Sequence, residues 1–165
     1  MRKEGFQTLV AVLRRITAEG EPEFQVIRED NNLEITLAGV GEASGSFVTL
    51  EDEEEIMEGF PLGLNSYGGK EAKRIYDQLE GISDIFYAEY LYIEPKYRSG
   101  GYGKKLFQKL EEEAKKEKVD AIIGNAAPMG QDQVPFSVLK KIYTSLGYEF
   151  LTIYENKNGL IIKRF

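Results

Sequence analysis

Three glycines stand where a predicted strand has ended and a predicted helix begins: Gly100, Gly101 and Gly103, in the segment YLYIEPKYRSGGYG over residues 90–103. The start of a helix leaves up to about four backbone N–H groups without partners inside the helix, and it carries about half a positive charge. Because glycine has no side chain, such a backbone can approach an anion closely. The segment is therefore suited to bind a phosphate or a diphosphate group.

Basic residues lie on both sides of the three glycines. Residues 98–104 are called the glycine turn. Arg98 precedes the glycines and can add a charge-assisted hydrogen bond to an anion. Lys104 and Lys105 follow in the first turn of the predicted helix, where cations oppose the helix dipole. A bound anion would compensate for that unfavourable placement, so the basic residues support the same interpretation.

Two familiar phosphate-binding motifs do not fit the glycine turn. The dinucleotide-binding fingerprint needs a third glycine at position 106, where the chain has Leu106. A P-loop needs glycine at position 98 and Ser or Thr at position 105, where the chain has Arg98 and Lys105. The alternative without a ligand is that the glycines only shape a tight connection between a strand and a helix.

The composition restricts the chemistry that is open to the chain. Its 165 residues include no cysteine and no histidine, which excludes disulfides, thiolate nucleophiles, histidine bases and most zinc and iron sites. A calcium or magnesium site of carboxylates stays formally open, but no EF-hand spacing is present, and we predict no metal. The formal charge of −7 argues against nucleic-acid binding, and it suits cationic substrates only through its long-range field.

The glycine turn also carries a family resemblance. Residues 98–103 (RSGGYG) match the R/Q-x-x-G-x-G/A signature of the GNAT superfamily of N-acetyltransferases, and residues 93–97 (IEPKY) look like that family's approach to the turn. Residues 142–148 (IYTSLGY) resemble its second signature, an aromatic pair that encloses x-x-x-G before a strand. The two signatures occur in the family's order, and the resemblance covers roughly residues 84–165.

This resemblance implies that acetyl-CoA is the cosubstrate. Its diphosphate would bind the amides from Ser99 to Lys104, its pantetheine arm would pair with the backbone of residues 91–93 like an added strand, and its thioester would lie near residues 121–125. Asn125, expected just after a short strand, would hydrogen-bond the cofactor or the substrate, although an ordinary turn residue is an equally good interpretation. The implied cofactor-binding residues are Leu91, Tyr92, Ile93, Arg98, Ser99, Gly100, Gly101, Tyr102, Gly103, Lys104 and Asn125.

Two residues are candidates for the proton transfers. By the same resemblance Tyr143 donates a proton to the departing thiolate, although its helical spacing would also suit a core aromatic. Glu89 is the best local carboxylate for deprotonating the amine, because it alternates with Leu91 and Ile93 on one strand face, where desolvation would make it a stronger base. A water relay, with Glu89 at the rim of the site, is the alternative. A backbone N–H within residues 91–93 would hold the oxyanion.

The remaining pattern indicates the elements that position these residues. From residue 85 it predicts a strand over 85–93, a helix over 103–118 and a strand over 121–124. A second helix follows, begun by Pro135 and ended by Gly147, and then a hairpin of two strands, 148–154 and 160–163, around Asn158-Gly159. Upstream it predicts strands over 24–28, 33–38 and 46–50, a glycine-rich turn or bulge over 39–45, a short helix opened by 51–55, a loop over 59–69 and a helix over 70–79. Residues 6–16 fit either a strand or a helix, and Ser137 is the expected N-cap of its helix.

The first 83 residues depart from the family's usual layout, which has two helices between its first two strands and a direct hairpin into the diphosphate-binding strand. Here the predicted helix over 70–79 immediately precedes that strand. This half usually builds the acceptor pocket, so the identity of the acceptor does not follow from the resemblance. Four tyrosines are candidates for lining an acceptor site, although each alone would suit packing: Tyr67, Tyr76, Tyr87 and Tyr90.

These observations predict a single α/β domain over residues 1–165, with a GNAT-like mixed, mostly antiparallel central sheet flanked by helices. Residues 1–83 would form the acceptor side and residues 84–165 the acetyl-CoA-binding half. The predicted function is transfer of an acetyl group from acetyl-CoA to a primary amine of a small molecule, peptide or protein, by direct attack in a ternary complex. The alternatives are a non-catalytic CoA- or nucleotide-binding regulatory module and a plain protein-interaction domain.

The sequence also sets expectations for location and partners. The apolar run over 8–13 is too short to span a membrane and no small-residue cleavage site follows it, so we predict a cytoplasmic protein. The expected partner is an amine acceptor, without nucleic acid or membrane, and a homodimer is left open.

Overall fold

The structure is a computed structural model, and it describes residues 10–13 by their backbone and residues 23–128 and 134–165 in full. The described strands are β1 Val10–Leu13, β2 Phe24–Glu29, β3 Asn32–Leu37, β4 Gly41–Thr49, β5 Asp84–Ile93, β6 Ala121–Ala126, β7 Glu149–Tyr154 and β8 Asn158–Arg164. The described helices are α1 Glu53–Glu58, α2 Gly69–Gln78, α3 Tyr102–Lys115 and α4 Phe136–Ser145, with 3₁₀ turns at Leu64–Tyr67 and Pro95–Tyr97. From residue 85 onward the order of elements is the predicted one.

The eight described strands form one sheet in the order β1-β2-β3-β4-β5-β6-β8-β7. The pairs β1–β2, β2–β3, β3–β4, β6–β8 and β7–β8 are antiparallel. This confirms the predicted α/β fold with a mostly antiparallel sheet and flanking helices. Within the ambiguous run over 6–16, residues 10–13 are a strand, and the rest of that run lies outside the described residues.

The chain divides into two compact units, and β4 and β5 contribute residues to both. The first unit comprises residues 1–47 and 88–118, and the second comprises residues 48–87 and 119–165. The predicted assignment of the acceptor to residues 1–83 and of acetyl-CoA to residues 84–165 stays a prediction.

The first unit is built on hairpins and on α3. A turn at Asp30-Asn31 joins β2 to β3, and Asp30 takes a positive φ of 54°, so the predicted hairpin is confirmed. In β3 every second side chain is buried, as period-two alternation requires. The buried face of α3 includes the four predicted residues Leu106, Phe107, Leu110 and Ala114, and the helix packs against β3.

The second unit has its own apolar core around α2, β6 and β8. Its buried members include Leu64, Ala72, Ile75, Leu79, Ile85, Ala121, Ile123, Leu151, Leu160 and Ile162. The short helix α1 forms as predicted, because the side chain of Asp52 accepts a hydrogen bond from the Glu55 N–H at 2.8 Å. Both α1 and α2 lie between β4 and β5, so the helix predicted over 70–79 does immediately precede the strand that leads to the glycine turn.

Two glycine predictions are wrong, and for the same physical reason. The turn predicted over 39–45 ends by residue 40, and Gly41 begins β4, where a Cβ atom would lie only 2.2 Å from the Tyr92 carbonyl oxygen. The hairpin turn predicted at Asn158-Gly159 lies instead at residues 155–157, and Gly159 belongs to β8, where a Cβ would lie 2.7 Å from the Phe150 ring. In both strands the glycine serves a close approach rather than a turn.

Among the helices of the described residues, none has both the length and the apolar character needed to cross a membrane.

Candidate functional site

The glycine turn connects the end of β5 to α3 by way of the 3₁₀ turn Pro95–Tyr97. Gly101 is the N-cap of α3 with a left-handed φ of 79°, a conformation that costs other residues about 1–2 kcal/mol. A Cβ there would meet nothing within 4 Å, so the backbone is open on that side. The Lys105 N–H donates to the Gly101 carbonyl at 3.2 Å. Within the glycine turn the Gly100 N–H already donates to the Tyr97 carbonyl at 3.3 Å. The N–H groups of the first turn of a helix have no partner inside the helix and suit an anion.

The other two glycines allow close packing around the turn. A Cβ at Gly100 would lie 3.0 Å from the Tyr102 ring, which itself meets the Tyr97 ring edge-on at 5.6 Å between centroids. A Cβ at Gly103 would lie 3.6 Å from Cγ1 of Ile93, an ordinary contact distance. The interpretation that the glycines only shape the connection accounts for Gly100 and for the left-handed φ of Gly101. The open side of the Gly101 backbone also leaves room for a ligand.

Arg98 ties the glycine turn to the strand before it. Its Nε donates a hydrogen bond to the Ile93 carbonyl at 2.9 Å, and its guanidinium carbon lies 5.6 Å from the centroid of the Tyr92 ring. The Tyr92 ring stacks on Tyr90 at 6.4 Å. Burial, followed by the negative charge of Glu42, raises the pKa of Tyr90. The three cofactor-binding candidates Tyr92, Ile93 and Arg98 are therefore in direct contact.

Glu89 lies on β5 but is exposed, so the desolvated environment expected for it is absent. The expectation rested on alternation with Leu91 and Ile93, of which Ile93 is buried and Leu91 half-buried. Its carboxylate oxygen Oε2 accepts a hydrogen bond from the Ser46 hydroxyl of β4 at 2.8 Å. The role of Glu89 as a base stays a prediction, and Ser46 is a contact that sequence reasoning did not single out.

Tyr143 is buried in α4 of the second unit, with 6% of its surface exposed. Burial raises the pKa of its phenol above the ordinary value, at which a tyrosine is already protonated at neutral pH. Its ring meets the Tyr148 ring edge-on at 6.1 Å, and the Tyr148 N–H donates to the Tyr143 carbonyl at 3.0 Å. The predicted N-cap at Ser137 is wrong, because α4 begins after Pro135 and has no side-chain cap. Pro135 sets the helix start through its fixed φ.

Asn125 lies within β6 rather than after it, paired with Leu160 of β8. The strand is two residues longer than predicted, because pairing with β8 continues to Ala126 and Gly159. Asn125 is the exposed residue of this otherwise buried strand. Its amide is thus available to a ligand, and its role stays a prediction.

The candidate acceptor tyrosines have different surroundings. Tyr76 lines an open pocket of about 370 Å³ in the second unit, whose walls also carry the carboxylates Glu51, Asp77 and Glu80. Tyr87 meets the exposed ring of Phe60 edge-on at 5.8 Å. Two further members of the set, Tyr67 in the second unit and Tyr90 in the first, are partly buried.

The candidates group by unit. The first unit holds Glu89, the strand segment 91–93 and the glycine turn, and the second holds Asn125 and Tyr143. Within the described parts of the chain, no three or more acidic side chains are grouped so that they could hold a metal ion.

Comparisons with known proteins identify a family by its model and a fold by solved structures. A family model described as an acetyltransferase (GNAT) domain matches residues 43–150. Among curated proteins none matches the chain. A solved structure of arylalkylamine N-acetyltransferase-like 5b from mosquito is similar over 82% of this chain and 74% of that one, with 18% identity and a TM-score of 0.55.

Two further solved structures show the same fold. NAA60 from Arabidopsis thaliana, in complex with a bisubstrate analogue, is similar over 84% of this chain and 79% of that one, with 9% identity and a TM-score of 0.51. Arylalkylamine N-acetyltransferase 2 from Aedes aegypti is similar over 81% of this chain and 72% of that one, with 17% identity and a TM-score of 0.50.

Proposed function

Because this chain belongs to the GNAT acetyltransferase family and is an acyltransferase that acetylates amines, we propose that it transfers the acetyl group of acetyl-CoA to a primary amine by direct attack in a ternary complex. The observation that carries the proposal is the open backbone at Gly101, which lies inside the residues matched by the family model. Its left-handed φ of 79° and its place at the N-cap of α3 are what a bound diphosphate needs.

The cofactor would be held mainly by backbone groups. We assign the diphosphate to the amides of residues 99–104, with a charge-assisted contribution from Arg98. The pantetheine arm carries amides of its own and would pair with the backbone of residues 91–93 in the manner of an added strand. The Arg98 contact to the Ile93 carbonyl links the strand segment to the glycine turn and occupies one acceptor position of that carbonyl. The exposed amide of Asn125 is assigned to the cofactor as well.

The reaction forms one bond and breaks one. The neutral amine nitrogen attacks the thioester carbonyl carbon, a C–N bond forms, and the C–S bond breaks to release the CoA thiolate. Glu89 takes the proton that the nitrogen loses, and its exposure allows that proton to pass on to solvent. Tyr143 donates a proton to the thiolate, and the phenolate that remains regains a proton from solvent before the next turnover. A backbone N–H within residues 91–93 would stabilise the oxyanion.

Direct attack is favoured by what the chain lacks. Its sequence contains no cysteine and no histidine, so it offers neither a thiolate nor a Ser-His pair to accept the acetyl group as a covalent intermediate. In a direct attack, the amine and acetyl-CoA are bound together when the bond forms.

The test is a steady-state assay of CoA release with a panel of aliphatic amines, aromatic amines, a peptide N-terminus and a lysine peptide. A thiol reagent serves as the reporter, since the cysteine-free protein contributes no signal. We expect saturation in both substrates and intersecting double-reciprocal lines for at least one amine. Parallel lines would contradict direct attack, and no amine-dependent CoA release across the panel would contradict the proposed function.

A further inference from the structure

A buried serine contacts the exposed carboxylate of Glu89. Ser46 of β4 has 8% of its surface exposed, and its hydroxyl donates to Oε2 of Glu89 on β5 at 2.8 Å. A buried hydroxyl destabilises the fold unless it is hydrogen-bonded. The Glu89 carboxylate meets that requirement, so serine and glutamate at these positions depend on each other.

The position of Ser46 does not itself call for a hydroxyl. The nearby β4 residues Ala43 and Gly45 are also small and buried, so the strand already selects for low volume rather than for polarity. Alanine would meet that volume requirement without a polar group to satisfy. The hydroxyl therefore acts on its partner: it restrains a side chain that has three rotatable bonds and holds one carboxylate oxygen in place.

The environment of Glu89 differs from that of two ion-paired carboxylates in the described residues. Glu71 is paired with Arg74, and Glu113 is paired with Lys109 and Lys116. Among the described residues, no lysine or arginine forms an ion pair with Glu89. A lysine or arginine at hydrogen-bond distance would stabilise an ionised carboxylate and make it a weaker base. A neutral hydroxyl orients a carboxylate and stabilises its ionised form less.

We propose that Ser46 is a positioning residue for acetyl transfer: its hydroxyl holds Oε2 of Glu89, so that the carboxylate faces the acceptor amine in one orientation. This inference rests on the proposed function, in which Glu89 takes the proton from the amine. Ser46 touches neither substrate nor cofactor in this account and acts through Glu89 alone.

The experiment is a double-mutant cycle on kcat. For Ser46→Ala we expect kcat to fall about 10-fold, the size of one hydrogen bond, with the KM for acetyl-CoA within about twofold of wild type. Ser46→Thr keeps the hydroxyl and should recover most of the loss. In a Glu89→Gln background, Ser46→Ala should change kcat by less than about twofold, because the carboxylate it positions is already gone.

A matched control lies between the same two strands. The Thr49 hydroxyl donates to Oδ1 of Asp84 at 3.0 Å, also from β4 to β5. Thr49→Val removes that hydroxyl while keeping the side-chain shape, and we expect kcat to stay at the wild-type value. An equal fall in kcat for Thr49→Val and Ser46→Ala would mean that any loss of a β4–β5 hydrogen bond slows the enzyme, and would overturn the inference.

The remaining outcomes are also decisive. Wild-type kcat in Ser46→Ala, or an equal loss from Ser46→Ala in the wild-type and the Glu89→Gln backgrounds, overturns the positioning role and leaves amine acetylation standing. Full activity of Glu89→Gln overturns the role of Glu89 as a base, and the positioning role with it. Failure of the wild-type protein to acetylate any amine overturns the proposed function itself.

Discussion

The glycine turn and helix α4 offer different kinds of candidate hydrogen-bond donors: backbone amides in the first and a side-chain hydroxyl in the second. In the glycine turn the candidate donors are main-chain amides, the backbone is open, and a glycine φ of 79° sets the geometry. In α4 the candidate donor is one side-chain hydroxyl, Tyr143, held in a buried environment that raises its pKa. Under the proposed function, affinity for the cofactor resides in the backbone of one region and proton transfer in a side chain of the other. Substitutions in the two regions should then change different kinetic parameters.

The largest effect is expected from Tyr143→Phe. Removing the phenolic hydroxyl removes the proposed proton donor, so kcat should fall about 10²- to 10⁴-fold. The Kd for acetyl-CoA should change little, because the assigned diphosphate contacts are elsewhere in the chain. Steady-state kinetics and calorimetric titration of acetyl-CoA measure the two quantities separately.

Tyr148→Phe is the matched control for that substitution. Tyr148 is also buried, and its ring contacts Tyr143. Since it has no proposed role in catalysis, its variant should keep kcat within a few-fold of wild type. An equal fall in kcat for the two variants would show that the hydroxyls of Tyr143 and Tyr148 both matter for packing. It would contradict the assignment of proton transfer to Tyr143.

Gly101→Ala tests the proposed role of the glycine turn in binding acetyl-CoA. An alanine at a left-handed φ is strained by about 1–2 kcal/mol, and relief of that strain moves the amides of the glycine turn. We expect the Kd for acetyl-CoA to rise by about 10-fold, with a smaller change in kcat at saturating cofactor. Calorimetry gives the Kd, and thermal unfolding gives the stability of the same sample.

Gly81→Ala is the control for Gly101→Ala, because both substitutions place an alanine at a similar left-handed φ. Gly81 has a φ of 83°, and a Cβ there would also meet nothing within 4 Å. The stability loss should resemble that of Gly101→Ala, while the Kd for acetyl-CoA stays at the wild-type value. If Gly81→Ala weakened acetyl-CoA binding as much, the effect at Gly101 would report destabilisation of the fold and not the loss of a binding site.

The smallest effect is a pH dependence in the second unit. Arg74, followed by Thr152, hydrogen-bonds the Glu71 carboxylate and lowers its pKa from an ordinary value of 4.5 to about 2. A depressed pKa stabilises the folded state fully above pH 4.5, and that contribution is lost as the pH falls towards 2. Since the pair is partly exposed, it contributes less than about 1 kcal/mol.

Thermal unfolding of Glu71→Gln between pH 7 and pH 2 measures that contribution. The variant should melt at most about 2–4 °C below wild type at neutral pH, and the two curves should converge in acid. Asp77→Asn on the same helix breaks a more exposed pair with Lys73 and should shift the melting temperature less. Neither variant should alter the Kd for acetyl-CoA, and a gap between wild type and Glu71→Gln that persists in acid would contradict the assignment.

The sequence predicts best those elements that combine periodicity with breakers. The strand before the glycine turn was expected over 85–93 and runs over Asp84–Ile93, because an apolar run is bounded by Glu94-Pro95. The helix after it begins within one residue of the prediction, because glycines mark its start. The predicted end, at residue 118, lies three residues beyond the observed end at Lys115. The turn that follows the helix contains Lys118 with a φ of 60°, and lysine gives no signal for a left-handed conformation.

Glycine is ambiguous in a sequence because it serves two physical purposes. It permits a positive φ, as at Gly101, and it permits close approach, as at Gly41 and Gly159. Sequence alone cannot separate these uses, since the atoms that crowd Gly41 belong to Tyr92, far along the chain. The same holds for the contact of Ser46 with Glu89, which is 43 residues away and is set by the pairing of two strands.

The measurement that tests the central claim most directly compares acetyl-CoA with S-acetylpantetheine, which lacks the diphosphate and the adenosine 3′-phosphate beyond it, in the wild-type protein and in Gly101→Ala. If backbone amides around Gly101 bind the diphosphate, the wild-type protein should bind acetyl-CoA about 10- to 100-fold more tightly, and Gly101→Ala should narrow that ratio. Equal affinities for the two thioesters, or a ratio that Gly101→Ala leaves unchanged, would contradict it.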